Sequence, residues 1–197
     1  LKYFIREKTN YNSIEFYGID IDQNAINNNI DNKLILSCSS AEEYIKSNSE
    51  NFDILLYFEL IEHLIDPYSF MVSVKKLLKN NGIVLFSTPN SNGLEIMVSD
   101  YNSFRPIAGS IFPPFHLNAF NTMNIYFLSL RSGYSIIDII TPGKLDVDLV
   151  SLMNKEINDK GIKALAKLDV NTKGLFQYII SLVKASSHMV CIIKNNK

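Results

Sequence analysis

The sequence predicts an α/β fold built on a doubly wound, mostly parallel sheet. Strand-like and helix-like segments alternate from Ile14 to Ser87, which is typical of parallel strands joined by crossover helices. Phe52–Asn90 is the clearest such unit, and Met189–Ile193 is predicted to form an antiparallel strand at one side of the sheet. A chain of 197 residues that is 47% hydrophobic can bury one good core, so we expect a single domain, 1–197.

The stretch Phe52–Asn90 predicts a strand, a polar turn, a helix and a second strand. Phe52–Phe58 is an almost unbroken apolar run, as expected of a parallel strand that is buried on both faces. Asp66 and Pro67 have the residue types of a helix N-cap and a first helical residue. The helix has an apolar stripe, and it is predicted to end at Asn81-Gly82, where glycine can take a positive φ, before the strand Ile83–Ser87. The stripe consists of Phe70, Val74, Leu77 and Leu78.

Other elements follow from shorter signals. Asp22 can cap a short helix through Ile26 and Ile30, and Ser40 with Glu43 has the spacing of a capping box. The remaining predicted strands are Ile14–Ile19, Leu34–Ser37 and Ser135–Ile140, and the remaining helices are Thr122–Leu130, Leu175–Lys184 and the tail of one at Leu1–Lys8.

Two segments interrupt the alternation. Residues 91–121 contain three prolines, several aromatic residues and His116, which predicts an irregular, lid-like insertion. Residues 144–185 are predicted to form a second insertion, which is helical in pieces.

Composition excludes several classes of protein. The net charge is -1 and no basic run stands out, which disfavours a dedicated nucleic-acid surface. Cys38 and Cys191 lie far apart without CxxC spacing, so we expect neither a zinc site nor a disulfide framework, and a cytoplasmic location fits. No apolar run reaches the roughly 18 residues of a membrane span, and the first ten residues do not have the pattern of a signal peptide.

The candidate chemistry follows the ends of predicted strands, where ligands bind in open α/β sheets. Glu59, Glu62 and His63 come directly after Phe58, and Ser87–Asn90 closes the next strand along the chain. Asp20 ends an earlier strand, where an acid can bind ribose hydroxyls; the alternative is that it only caps a turn.

Four stretches carry a family resemblance. Glu59–Pro67 has the form E-x-x-E-H-L-x-D-P, and LLKNNGIVLFSTPN, YGIDID and SHMVCIIK match a helix with its following strand, a second strand and a last strand. In these stretches the chain resembles the class I S-adenosylmethionine-dependent methyltransferases, which have a Rossmann-like fold. The resemblance implies S-adenosylmethionine as the cofactor and a small-molecule methyl acceptor, with an oxygen of a sugar or a ring hydroxyl receiving the methyl group.

The resemblance also implies roles for individual residues. Asp20 would bind the ribose and Ile21 would lie beside the adenine, with Ser40 and the Ala41 amide near the adenine amine. The methionine end would be lined by Phe58 and Glu59.

The histidines have alternative interpretations. His63 or His116 could act as the base that takes a proton from a hydroxyl acceptor, but either could be an ordinary structural or loop histidine. His188 is most simply a residue that enters the last strand.

A metal site is the main alternative. Glu59, Glu62 and His63 would share one face of a helical turn and could bind a divalent cation, with His116 as a further ligand. That cation would orient a vicinal diol or catechol acceptor, and the site would resemble those of some quinone-ring O-methyltransferases and of the metal-dependent small-RNA 2′-O-methyltransferases, but we predict no metal. A third hypothesis is a non-catalytic remnant that acts as a partner subunit.

One expected part of the family pattern is missing. The chain has no GxG anywhere, whereas the family's first strand and its glycine-rich loop would precede Leu1. The sequence therefore predicts either an amino-terminally truncated methyltransferase or one whose true start lies upstream, and the chain as given is expected to bind S-adenosylmethionine poorly or not at all.

Overall fold

The structure of the protein is a computed structural model. It describes residues 14–30, 34–49, 51–97, 114, 116–144, 146–152 and 160–196. The chain forms two compact units, Leu1–Ser49 and Glu50–Lys197. The predicted tail of a helix at Leu1–Lys8 and most of the predicted lid lie outside the described residues. The predicted single domain and the bounds of its two insertions stay predictions.

The first unit contains a two-stranded parallel sheet. Strand β1 (Phe16–Asp20) pairs with β2 (Leu34–Cys38), in a register from Phe16 opposite Leu34 to Asp20 opposite Cys38. Helix α1 (Gln23–Asn27) begins at the predicted cap, Asp22, but ends before Ile30.

Helix α2 (Ala41–Ser47) confirms the predicted capping box. The Ser40 hydroxyl accepts from the Glu43 amide at 3.2 Å, and the Glu43 carboxylate accepts from the Ser40 amide at 3.3 Å. The signal is reliable because both partners lie within one turn of the chain.

The second unit contains a four-stranded sheet in the order β3-β4-β6-β5. Strands β3 and β4 are parallel, and β6 runs antiparallel to both β4 and β5. The antiparallel direction of the last strand is therefore confirmed, but its predicted position at one side of the sheet is wrong, because it lies between β4 and β5. The bounds are β3 Phe52–Phe58, β4 Leu78–Pro89, β5 Tyr134–Ile140 and β6 His188–Asn195.

Six helices of this unit are described, and their starts follow local chemistry. Asp66 caps the first of them and Pro67 is its first residue, as predicted. Asn121 and Asn124 form a capping box at the start of another. The helices are α3 Pro67–Val74, α4 Leu94–Met97, α5 Thr122–Arg131, α6 Asp146–Leu152, α7 Lys160–Ala166 and α8 Val170–Leu182.

The predicted helix end at Asn81-Gly82 is wrong. A short 3₁₀ turn, Lys75–Leu77, follows α3, and Leu78 already belongs to β4, where it pairs with Phe52. The positive φ belongs to Asn81, at 64°. Gly82 is favoured for a different reason, because a Cβ there would lie 3.0 and 3.2 Å from the carbonyl oxygens of Lys79 and Phe52, which is a tight contact.

The core of the second unit lies on one face of β4 and β6. Val84 and Phe86 alternate with less buried residues along β4, and Met189 and Cys191 do so along β6. The Tyr57 ring stacks on Phe86 at a centroid distance of 4.9 Å. Strand β3 is not buried on both faces as predicted, since among the described strands it pairs only with β4 and Phe58 is 54% exposed.

None of the helices in the described part of the chain has the length and apolar character needed to cross a membrane.

Candidate functional site

Three strands bring polar side chains to one edge of the four-stranded sheet. Strands β3 and β4 both end at this edge, because they are parallel. Strand β6 is antiparallel and begins there, with His188 opposite Pro89. The last strand thus contributes to the same edge as Glu59 and Ser87, although it lies about a hundred residues later in the sequence.

Glu59 is the residue that connects these strands. Its φ of 49° turns the chain as β3 ends, and its amide donates to the carbonyl oxygen of Ser87 at 3.1 Å. Its Oε1 accepts from the Ser87 hydroxyl at 2.7 Å, and its Oε2 lies 3.4 Å from Nε2 of His188. Partial burial raises the pKa of Glu59, but hydrogen bonds from His188 and Ser87 outweigh it, so the net pKa is lowered.

His188 lies between this carboxylate and a hydroxyl. Its Nδ1 is 3.2 Å from the Ser187 hydroxyl oxygen, and half of its side chain is exposed. The hydrogen bond with Glu59 is the main cause that raises the pKa of His188. The prediction that His188 enters the last strand is confirmed, but sequence reasoning missed its contact with Glu59. The antiparallel direction of that strand was the signal that could have revealed it.

A buried network holds the chain next to His188. The Ser187 amide donates to Oδ1 of Asp146 at 2.8 Å, and the Ser187 carbonyl accepts from the Asn90 amide at 2.6 Å. Gln177 donates to the other oxygen of Asp146. Burial raises the pKa of Asp146, but the hydrogen bonds from Ser187, Gln177 and Ser186 lower it further than burial raises it.

Glu62 is buried behind this edge, with 1% of its surface exposed. Its Oε2 accepts from the Thr88 hydroxyl at 2.9 Å, whereas its Oε1 has no hydrogen-bond partner among the described residues and lies 3.8 Å from Nε2 of His63. Burial is the main cause that raises the pKa of Glu62.

The two histidines predicted to be catalytic lie side by side. The rings of His63 and His116 have their centroids 4.5 Å apart. The carbonyl oxygen of Glu62 accepts from the amides of Leu117 and Asn118 at 2.9 and 3.0 Å, which brings the residues after His116 against the 3₁₀ turn Ile61–His63.

The expected shared face of Glu59, Glu62 and His63 does not form as predicted. Glu59 precedes the 3₁₀ turn and points to His188, because its positive φ takes it out of the helical path. The possible ligand atoms of Glu62, His63 and His116 instead all lie within 4.8 Å of one another.

The other predicted cofactor residues belong to the first unit. Oδ1 of Asp20 accepts from the Asp22 amide at 2.8 Å, so this residue does stabilise the turn after β1. Ile21 is 78% exposed. Ser40 caps α2 and Ala41 is its first residue.

Comparison with known proteins decides the family. Residues 2–125 match a family model described as a methyltransferase domain. This chain belongs to the methyltransferase-domain family. The predicted membership of the class I S-adenosylmethionine-dependent methyltransferases and the predicted Rossmann-like α/β fold are thereby confirmed.

Several curated relatives of this methyltransferase carry the same name. It is 41% identical to the ubiquinone biosynthesis O-methyltransferase of Aliivibrio fischeri strain MJ11 over 54 residues, which are 27% of this chain and 23% of the relative. It is 36% identical to the enzyme of that name from Pasteurella multocida over 72 residues, covering 36% and 27% of the two chains. The matched part thus spans about a quarter of the length of these relatives.

Solved methyltransferases share the fold at low sequence identity. A SAM-dependent methyltransferase from Archaeoglobus fulgidus has a TM-score of 0.60 and 19% identity, covering 98% of this chain and 80% of that one. Phosphoethanolamine N-methyltransferase 2 from Haemonchus contortus, solved with S-adenosyl-L-methionine, has a TM-score of 0.56 and 14% identity, covering 93% and 44%.

The predicted residues of this methyltransferase fit the chemistry of the cofactor. Glu59 carries a carboxylate with a lowered pKa, which complements the positive charge of an ammonium or sulfonium group. The exposed apolar side chain of Ile21 can pack on an adenine ring. The individual roles stay predictions.

A cleft of about 370 Å³ lies elsewhere in this methyltransferase, near the second predicted insertion. Lys144, Asp148, Lys173 and Tyr178 are among the residues that line it. None of the predicted site residues lines this cleft, so it is distinct from the edge that carries Glu59 and His188.

Proposed function

We propose that this chain transfers the methyl group of S-adenosylmethionine to a hydroxyl oxygen of a small molecule, with a ring hydroxyl favoured over a sugar hydroxyl. The supporting observation is the gathering of Glu59, His63, His116 and His188 at the carboxyl edge of β3 and β4. A hydroxyl acceptor needs a proton acceptor, and imidazoles beside carboxylates suit that role near neutral pH. The name of the curated relatives, which specifies O-methyl transfer in ubiquinone biosynthesis, also favours an oxygen acceptor.

The cofactor supplies a methyl group that is already bonded to a good leaving group. The protein's task is therefore to align the acceptor and to exclude water. We infer that Phe58 and Glu59 contact the methionine end, Asp20 the ribose, and Ile21, Ser40 and Ala41 the adenine.

Affinity for the cofactor is tested by calorimetry. Because the sequence has no GxG, we expect weak binding when the 197-residue chain is titrated with S-adenosylmethionine. A micromolar dissociation constant would contradict this expectation of weak binding, while leaving the proposed reaction in place.

The reaction itself is tested by transfer of a tritium-labelled methyl group at millimolar S-adenosylmethionine. We expect label in a catechol, and less in a simple sugar. Glu59→Gln is expected to lower the transfer, and Asp53→Asn is the matched control, since Asp53 forms an exposed ion pair with Lys79 near the start of β3. Cofactor binding without transfer to any hydroxyl acceptor would favour the non-catalytic partner subunit instead.

A second candidate function is metal-dependent methyl transfer. Glu62, His63 and His116 bring three possible ligands within 4.8 Å of one another, and Oε1 of Glu62 has no hydrogen-bond partner among the described residues. A divalent cation there could bind both oxygens of a catechol or of a terminal ribose of RNA.

Metal dependence is tested by chelation. In the metal-dependent case EDTA abolishes transfer and Mg²⁺ or Mn²⁺ restores it, whereas in the metal-free case EDTA has no effect. Adding an RNA oligonucleotide to the panel of acceptors then separates a nucleic-acid substrate from a small molecule.

A further inference from the structure

We propose that His188 is the base that removes the proton from the acceptor hydroxyl, with Glu59 orienting its imidazole. This inference rests on the proposed function, because it assigns a residue to that reaction. Sequence and family resemblance direct attention to His63 and His116, and it is the position of β6 that brings the third histidine into the site.

The geometry gives each nitrogen of His188 a separate role. Nε2 lies 3.4 Å from the Glu59 carboxylate, so the proton on this nitrogen is held by the acid. That tautomer leaves the lone pair on Nδ1. The hydroxyl of the preceding residue, Ser187, lies 3.2 Å from Nδ1, and the side chain is half exposed, so we infer that an acceptor hydroxyl replaces this contact when it binds. A carboxylate, an imidazole and a hydroxyl in this order form the usual arrangement for activating a hydroxyl group.

Supporting contacts fix both members of the pair. Ser87 donates to Glu59 at 2.7 Å and so orients the carboxylate. Asp146 accepts from the Ser187 amide at 2.8 Å and so fixes the start of β6. Ser87 belongs to β4 and Asp146 to α6, so both contacts come from regular secondary structure, which lowers the cost of holding the imidazole in one orientation.

Three acids influence the charge of His188 from different elements. Glu59, at the end of β3, has the largest effect, and Glu95 in α4 and Asp146 in α6 add smaller ones. All three favour the imidazolium form that His188 would take after accepting a proton. Burial raises the pKa of Glu95, so its contribution is largest at higher pH.

His63 lies beside a different acid. This acid is Glu62, whose pKa is raised by burial. At the same pH a smaller fraction of Glu62 than of Glu59 is therefore ionised.

The step is balanced in atoms and electrons. The acceptor O–H bond breaks and its proton moves to Nδ1 of His188. The acceptor oxygen forms a bond to the methyl carbon as the carbon–sulfur bond of the donor breaks, and that electron pair stays on sulfur as S-adenosylhomocysteine leaves. His188 then returns its proton to solvent, which its exposure allows.

The test compares two acceptors of different acidity. With catechol, His188→Gln is expected to lower kcat by about 10²- to 10⁴-fold and to remove the rise of kcat with pH that follows imidazole deprotonation. With a nitro-substituted catechol, whose hydroxyl is already ionised, the same variant is expected to retain most of its activity because no base is required. The control Asp53→Asn is expected to behave as the wild type with both acceptors.

A second measurement reports on the pair without turnover. NMR titration of the imidazole protons is expected to give a lower pKa for His188 in Glu59→Gln than in the wild type. Three outcomes would overturn this inference without overturning the proposed function. They are an equal loss of kcat with both acceptors in His188→Gln, an unchanged pH profile in that variant, and an unchanged pKa of His188 in Glu59→Gln. Absence of wild-type transfer to every hydroxyl acceptor would overturn the proposed function and this inference with it.

Discussion

The contact between Thr88 and Glu62 shows that a buried carboxyl group depends on a hydrogen-bond donor. Both residues are almost fully buried, and the Thr88 hydroxyl is the donor to Oε2 of Glu62 at 2.9 Å. A buried acid that loses its donor bears the full cost of desolvation. Oε1 of this acid lies 3.8 Å from Nε2 of His63, so its ionisation changes the electrostatic environment of that imidazole.

Thr88→Val is expected to lower the free energy of unfolding by about 1–3 kcal/mol. Glu62 has a raised pKa, so its contribution to stability is most favourable below the ordinary pKa of 4.5 and declines as pH rises through the raised value. Removing the Thr88 donor raises the pKa of Glu62 further. The loss of stability is therefore larger at neutral pH than in acid. Urea denaturation at several pH values measures this, with Thr88→Ser as the control that keeps the hydroxyl. An equal loss at all pH values would contradict the assignment.

The stability that the Glu59–His188 pair contributes is lost both at low pH and at high pH. The lowered pKa of Glu59 gives stability that is lost as pH falls below about 4.5, and the raised pKa of His188 gives stability that is lost as pH rises above 6.5 and through the raised value. A double-mutant cycle with Glu59→Gln and His188→Gln is expected to give a coupling of at most about 1 kcal/mol near pH 5.5, because both side chains are partly exposed. The coupling should disappear at alkaline pH, and a pH-independent coupling would argue against an ion pair.

At the scale of elements, the end of α8 is stabilised by a Schellman motif. The Ala185 amide donates to the carbonyl of Ile180 at 2.8 Å and the Lys184 amide to that of Ser181 at 3.2 Å. This motif places Lys184 at a φ of 60°, where glycine is the usual residue. The loop it forms leads directly into Ser186, Ser187 and His188, so the end of α8 helps to position the proposed base.

Lys184→Gly is expected to stabilise the protein by about 1 kcal/mol, because a side chain at positive φ is strained. Thermal or chemical denaturation measures the gain. Lys184→Ala is the control, since it removes the charge but keeps the Cβ, and it should show no gain. A stabilisation by alanine equal to that by glycine would assign the effect to charge rather than to backbone strain.

Local signals explain which elements could be predicted from the sequence. The caps at Ser40 and Asp66 were predictable because each partner lies within three residues along the chain. The end of α3 could not be predicted, because the pairing of Leu78 with Phe52 competes with helix formation and depends on the tertiary fold. The contact of His188 with Glu59 depends on strand order, which no local pattern specifies.

At the scale of the whole molecule, the family could be predicted because its motifs lie in the strand ends and turns that build the site. The match over residues 2–125 includes Asp20, Glu59 and His63. The acceptor could not be predicted in the same way, since no motif in the sequence is diagnostic of a particular acceptor. The curated relatives align over about a quarter of their length, and the methyl acceptor therefore has to be established directly.

The most direct measurement is the position of the methyl group in the product. The chain is incubated with catechol and millimolar S-adenosylmethionine carrying an isotope-labelled methyl carbon, and the product is examined by NMR. We predict a labelled methyl group on a ring oxygen. A methyl group on carbon or nitrogen, or no labelled product at saturating cofactor, would contradict the assignment of this edge of the sheet to oxygen methylation.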